Sequence, residues 1–342
     1  MKPDRMTDTN PDVIHHRPDE ISRRSRLMRP VVRLVLKPLL RWIACMDESR
    51  LAGVQLHTAG KVCPDSAGLP LNYEIVGKVP GHVLGSVRPA QRPVVLWLHG
   101  GAFILPAAPN AHLVMVAKLC RELEADAFIP DYRLAPFNRF PAPLDDCENA
   151  YRALLDRGYQ ASQIIIGGDS AGGNLALGVL QRIRKGKLPM PACAVMVSPA
   201  TELGRVHSPP ARPRLIDRDL VLPAVALRRI CDLYAGDWDR ADPELSPLYM
   251  DCDGMPPMLF VTTDNEMLLD DTLMLVERLH EAGIDTTCHV WPLLPHAFPV
   301  FDRYFRESRQ VRADIVAFAR QRLLRAASST RSARLRRVRS AA

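Results

Sequence analysis

The sequence predicts an α/β fold, a mostly parallel sheet with helices on both of its faces. Two observations carry that expectation. From Pro93 onward, short and almost continuously apolar runs recur along the chain, as strands buried on both faces require. Between them lie longer segments whose apolar residues return at helical spacing. With 342 residues, 47% of them hydrophobic and 24% charged, the chain has material for a large core and a lid above it.

Taken in order, the first element is the segment "LMRPVVRLVLKPLLRWIACM". Arg29, Arg33, Lys37 and Arg41 recur every fourth residue, which on a helix aligns them along one side while Val, Leu, Ile and Trp42 cover the remainder. Pro30 suits a first turn, whereas Pro38 is expected to bend or divide the helix. The apolar face, Trp42 included, is expected to dock inward on the rest of the protein. Attachment to a membrane surface is the alternative, since it needs the same face. Strands are then expected at 94–98, 127–130, 164–168, 192–198, 258–263 and 286–291, with helices at 111–123, 144–158, 171–186 and 270–283. The alternation fails over 201–238, where "SPPARPRL" and "PAVALRRICDLY" follow without a strand, and this interval reads as an insertion above the sheet. The expected division is N-terminal cap helices at 1–55, an α/β core at 56–200 and 239–325, a cap insertion at 201–238 and a basic tail at 326–342.

The formal charge of +7 is located at one end: Arg320, Arg322, Arg325, Arg331, Arg334, Arg336, Arg337 and Arg339 contribute eight positive charges with no acid among them, leaving 7 − 8 = −1 for the rest. No nucleic-acid partner is expected of the main domain. The Ser/Ala/Arg composition predicts disorder from 326 onward. Eight cysteines are scattered without a C-x-x-C pair, which argues against a zinc or redox motif and for reduced thiols in the cytoplasm. The first residues lack an apolar signal-peptide core. Nor does any run approach the roughly 18 apolar residues that span a bilayer.

Chemistry is concentrated around "IIIGGDSAGGNLAL". Gly168-Asp169-Ser170-Ala171-Gly172 fits the nucleophile elbow G-x-S-x-G, placed where an apolar strand gives way to a helix. A serine hydroxyl needs a general base, and the base an orienting acid, both expected later in the chain and after strands. Of ten histidines, only His296 follows the last candidate strand; His57, His112 and His207 have no comparable setting. "LHGGAF" follows the strand at 94–98, where the backbone N–H groups of Gly100, Gly101 and Ala102 would form an oxyanion hole with that of Ala171. For the acid, "VTTDNEMLLDD" offers Asp264, Glu266, Asp270 and Asp271. Asp270 and Asp271 open a helical pattern and read as first-turn carboxylates, as do Asp145 and Asp146, for which support of the site is an equal alternative.

With these residues assembled, the chain resembles the hormone-sensitive-lipase-like (family IV) esterases of the α/β-hydrolase fold. The marks are "HGGAF", "DYRLAPFNRFPAPLDD", "GDSAGGNLA" and "PHAF", in family order over roughly 93–320. The resemblance implies an eight-stranded, mostly parallel sheet under a helical cap, and hydrolysis of short- to medium-chain carboxylic esters without metal or organic cofactor. It selects Glu266 as the triad acid, since Glu266-Met267-Leu268-Leu269-Asp270 fits a carboxylate followed by x-Leu-x-Asp, and leaves Asp264 as competitor. Three positions depart from the pattern: Ala102 replaces a third glycine, Phe137 a glutamate, and Ala297 a glycine. The expected partner is a small-molecule ester, and a homodimer is left open. Rival readings are an acyltransferase, lactonase or amidase with the same triad, and a non-catalytic ligand-binding protein, which a broken triad would mark.

Overall fold

The computed structural model describes residues 10–17, 20–58, 64–89, 92–204 and 212–341. Cys63 and His207 therefore lie outside the described residues. Each expected apolar run forms a strand: β4 (Val94–Leu98), β5 (Asp126–Pro130), β6 (Ile164–Asp169), β7 (Cys193–Val197), β8 (Met258–Thr263) and β9 (Thr286–Trp291). All six are parallel to their neighbours within this set. The sheet has nine strands rather than eight, because three more join its edges. β1 (Ile14–His16) pairs in parallel with β9, and the hairpin β2 (Leu71–Val76) and β3 (Val79–Leu84) adds antiparallel strands beside β5. The order is β1-β9-β8-β7-β6-β4-β5-β3-β2. Three residues are too short to show a period, and Pro80 and Gly81 interrupt β3, so neither edge carries a strong local signal.

Alternation along the central strands divides the core in two. Val94, Leu96, Ile164, Ile166, Ala194, Met196, Met258 and Phe260 pack under α4 (Ala142–Asp156), α5 (Ala171–Lys185) and α8 (Leu269–Glu281). Val95, Trp97, Ile165, Cys193, Val195, Leu259 and Val261 face α3 (Val114–Leu123) and α9 (Glu307–Ala341). The register sets Leu98 beside Gly168, Asp169 beside Val197 and Thr263 beside Trp291, so the ends of β4, β6, β7, β8 and β9 stand together at the carboxyl edge.

Above that edge lie α1 (Arg23–Ala44), α2 (Glu48–Thr58), α6 (Arg212–Leu215) and α7 (Ala224–Ala235). α2 crosses the boundary expected at 55. Tyr234 of α7 stacks flat on Phe103 of the loop after β4, with centroids 3.7 Å apart, which seats the insertion on the core. α1 contains Pro30 and Pro38 and is not divided at either. Its residues Ser25, Ile43 and Ala44 are buried, but Trp42 is 62% exposed, contrary to the expectation that it docks inward. At the other end, α9 continues to Ala341 where composition predicts disorder. Segment 326–341 contains neither Gly nor Pro, and its five arginines and four alanines are good helix formers that extend an existing helix without a new nucleus.

Candidate active site

The elbow is built by close packing. Ser170 lies between β6 and α5 at φ 53° and ψ −118°, a strained conformation for a residue with a side chain. Three bonds hold it: its N–H donates to Val197 O at 2.9 Å, and its carbonyl accepts from Asn174 N at 3.2 Å and Ala200 N at 3.0 Å. A Cβ on Gly172 would lie 1.9 Å from Leu98 O, and one on Gly168 2.4 Å from Gly172 O, so helix and strands approach at a distance only glycine permits. The strain leaves Ser170 partly exposed at the sheet edge while Ala171, the first residue of α5, is buried with its N–H beyond the reach of intrahelical bonding.

Ser170 Oγ stands 2.9 Å from His296 Nε2, and His296 Nδ1 stands 2.5 Å from Glu266 Oε2. The structure thus brings together the three residues named from sequence. Glu266 follows β8, and its other oxygen accepts from the Thr263 N–H at 3.0 Å and from the Thr262 hydroxyl. Both threonines are buried at the strand end, so the carboxylate is clamped on one side and offers its free side to the imidazole. Burial works against a charged His296, but the charge and hydrogen bond of Glu266 raise its pKa above the ordinary histidine value, with Asp219 and Asp169 adding to the effect. Asp264, the competitor, is engaged elsewhere: its Oδ1 accepts from the Leu293 N–H at 2.7 Å and its own N–H donates to Trp291 O at 3.0 Å. It braces the histidine loop. Burial raises its pKa against that hydrogen bond. Asp270 and Asp271 lie in the first turn of α8, as expected.

The loop expected to hold the oxyanion turns sharply after β4. Gly101 has φ 128°, Ala102 57° and Phe103 61°, and the turn closes through Leu105 N–H to Gly101 O at 2.8 Å. A Cβ on Gly100 would sit 2.2 Å from Asp169 Oδ2, which places this loop directly against the residue preceding the nucleophile. Ala102 and Ala297, the two alanines at glycine positions of the family pattern, both occupy the left-handed region. Phe137, the third departure, is more than half exposed and lines a cavity of about 420 Å³ with Ala52, Gln55, Leu56, His99 and Tyr132.

Several supporting residues had no signal in the sequence. His112, dismissed there, accepts from the Ala108 N–H at Nδ1 (2.9 Å), which assigns its proton to Nε2 and makes that nitrogen the donor to Asp169 Oδ2 at 3.2 Å. Trp97 Nε1–H donates to Asp169 Oδ1 at 3.0 Å. Burial opposes the charge on Asp169, yet His112 and Trp97 hold its pKa below the usual carboxylate value. Ser198 Oγ accepts from the Ala297 N–H at 3.1 Å, fixing the backbone beside His296. Asp219 of the insertion accepts from Val221 and Leu222 at one oxygen, 2.8 Å each, and from the Met267 N–H at the other, 2.9 Å. Its carboxyl is pushed up by burial. Asp145 and Asp146 bind Arg182 and Arg133, the latter bidentately at 2.9 Å, and so tie α4 to α5 and to the loop after β5. Spacing does not predict the contacts of His112 and Trp97 with Asp169, of Ser198 with Ala297 or of Asp219 with Met267, because those partners are distant in the chain.

Comparison with known proteins agrees with the geometry. A family model described as the alpha/beta hydrolase fold matches residues 95–300. An acetyl-hydrolase of Streptomyces hygroscopicus is 33% identical over 239 residues, 68% of this chain and 78% of its own. An esterase of Acinetobacter venetianus is 33% identical over 227 residues, covering 66% and 74%. Among solved structures, a hormone-sensitive lipase from a metagenome library aligns with a TM-score of 0.76 at 33% identity, over 87% of this chain and 98% of that one. An esterase/lipase from an uncultured bacterium gives 0.77 at 27% identity, over 89% and 99%. On its sheet, its elbow and these relatives, the chain belongs to the hormone-sensitive-lipase-like family of α/β-hydrolase-fold esterases.

Proposed function

We propose that this protein hydrolyses carboxylic esters with short- to medium-chain acyl groups through an acyl-enzyme on Ser170. The observation that carries the proposal is the unbroken hydrogen-bonded line from Ser170 Oγ through His296 to Glu266, at 2.9 and 2.5 Å. In the first half-reaction Ser170 Oγ attacks the ester carbonyl carbon as its proton passes to His296 Nε2. Glu266 stabilises the resulting imidazolium at Nδ1. The N–H groups of Gly100, Gly101, Ala102 and Ala171 receive the oxyanion, which collapses to expel the alcohol with the proton held on Nε2. Water then adds to the acyl-enzyme by the same route, giving the acid and restoring the Ser170 hydroxyl. No step requires a metal or cofactor. An acetyl-hydrolase and an esterase among the relatives support an ester substrate with a small acyl group.

The test is a series of p-nitrophenyl esters from acetate to palmitate, run on the native chain and on Ser170→Ala. Turnover is expected to be greatest at short to medium chains and to fall by orders of magnitude in the variant, which should also lose labelling by a serine-directed organophosphate. Labelling that persists in Ser170→Ala would place the nucleophile elsewhere. Inertness toward every ester, with the organophosphate still bound at Ser170, would favour an amide, lactone or acyl-transfer reaction on the same triad.

A further inference from the structure

Helix α1 docks by its narrow side and turns its apolar side outward. Met28, Val32 and Leu40 pack against the core, Ile43 and Ala44 are buried, and the Ser25 hydroxyl binds Glu307 of α9. Lys37 also turns inward, donating to Ile216 O at 2.9 Å and Asp219 O at 2.8 Å. Opposite them, Leu27, Val31, Leu34, Val35, Leu39 and Trp42 all stand in solvent, with Leu27 at 73% and Leu34 at 74% exposure. Their spacing of i, i+4, i+7, i+8, i+12 and i+15 makes one continuous stripe along the helix. A stripe of this length is more than the scattered apolar exposure of an ordinary surface.

Charge identifies what would cover it. Residues 23–44 contain seven cations and no acid, and Arg23, Arg26, Arg33 and Arg41 are exposed. At 100° per residue these four fall on one flank of the apolar stripe. A second copy packed antiparallel on this face about a two-fold axis would set the same cationic flank of each helix against the other. Anionic headgroups neutralise them instead, while the acyl boundary takes up the apolar side chains. No helix among the described residues is long and apolar enough to cross a membrane, so the helix would lie in the interface.

We propose that the outward face of α1 is a docking surface for an anionic lipid membrane, with Leu27, Val31, Leu34, Val35, Leu39 and Trp42 in the headgroup-acyl boundary. The hydrogen bonds of Lys37 to the backbone around Asp219, and of Asp219 to Met267 beside Glu266, then place the bound face on the helix that roofs the catalytic edge. Docking would present the protein to esters dissolved in the bilayer.

The full chain should co-sediment with vesicles of equimolar phosphatidylcholine and phosphatidylglycerol at low salt. Binding should weaken at least about tenfold on pure phosphatidylcholine, or at about 1 M salt, where the screening length falls to roughly 3 Å. Replacing Leu27, Leu34 and Trp42 together by Gln should also lower it about tenfold or more by removing buried apolar area. Circular dichroism and Tm should stay unchanged, since these side chains already face water. Brominated lipids should quench Trp fluorescence in the native chain and not in Trp42→Phe. The proposal is overturned if the native chain ignores anionic vesicles or if the triple variant binds as well as the native chain. It is equally overturned if only deletion of 326–342 abolishes binding, or if sedimentation equilibrium shows a dimer that the triple variant dissolves.

Discussion

Glu266 and Asp264 stand two residues apart, yet their carboxylates have different partners: His296 Nδ1 for the first, the Leu293 N–H for the second. Glu266→Gln should therefore lower kcat by about 10³ to 10⁴, as removal of a triad acid does when the tautomer and the imidazolium lose support. Asp264→Asn should keep kcat within about tenfold while lowering Tm, because an amide oxygen still accepts from Leu293 but more weakly than a carboxylate. Steady-state kinetics on one short ester, with a thermal melt for each variant, would show the reverse ranking if Asp264 were the acid. Strain is a second matter of single residues. A left-handed conformation costs an alanine about 1–2 kcal/mol, and glycine gives back about 0.4–1 of this through unfolded-state entropy. Ala297, at φ 51°, is thus a site where Ala297→Gly should raise Tm by about 1–2 °C. A Tm below that of the native chain would show that its buried methyl group contributes more by packing than the backbone loses.

Among elements, the junctions of β4 and β6 with their following segments decide the site. The turn at Ser170, the loop of Gly100 to Ala102 and the π-helical turn Pro109–Leu113 meet at Asp169, which His112 and Trp97 hold from two sides. His112→Ala leaves a buried carboxylate short of a donor, and a hydrogen bond to a charged group is worth about 1.5–3 kcal/mol. Urea unfolding should register a loss of about that order, and kcat should fall more than KM rises, because a loosened oxyanion loop affects the transition state first. An unchanged kcat in a destabilised variant would confine His112 to a structural role. Gly172→Ala should be more severe. With Leu98 O 1.9 Å from the new Cβ, β4 and α5 must separate, and neither soluble active protein nor organophosphate labelling should be recovered.

For the whole molecule, two buried histidines set opposite responses to pH. On the proposed mechanism hydrolysis needs a neutral His296, and its raised pKa puts the acid limb of kcat/KM above pH 6.5, with activity falling as pH falls. In stability the same group acts the other way: its contribution is complete below the unfolded pKa and is lost as pH rises through the folded one. His99 is displaced downward, to about 4, by burial and by the neighbouring His112. It stays neutral in the folded chain while the unfolded chain takes up a proton below about 6.5, so stability present above that pH is lost as pH falls toward 4. A shift of that size corresponds to roughly 3 kcal/mol. Urea unfolding at pH 7 and at pH 4.5 should show a drop, and equal midpoints would mean that His99 is protonated without cost.

Local pattern was sufficient for much of this protein. Three of the six central strands appear at their expected residues and the other three within one residue, because a run buried on both faces declares itself without reference to partners. The elbow is equally local: Gly168, Ser170 and Gly172 are close in the chain because the turn that needs them is short. The order of strand ends then pointed to His296 and to the acidic loop after β8. The family pattern favoured Glu266 over Asp264, and tertiary structure adds the contacts, with the Glu266 carboxylate at His296 Nδ1 and that of Asp264 at the Leu293 N–H. Tertiary structure alone brought His112 to Asp169, Ser198 to Ala297 and Asp219 to Met267, each pair far apart in sequence. It also decided the orientation of α1. Periodicity reveals that a helix has an apolar side but not whether the protein or the surroundings will cover it, and here packing buries the narrow side and leaves the apolar stripe facing out.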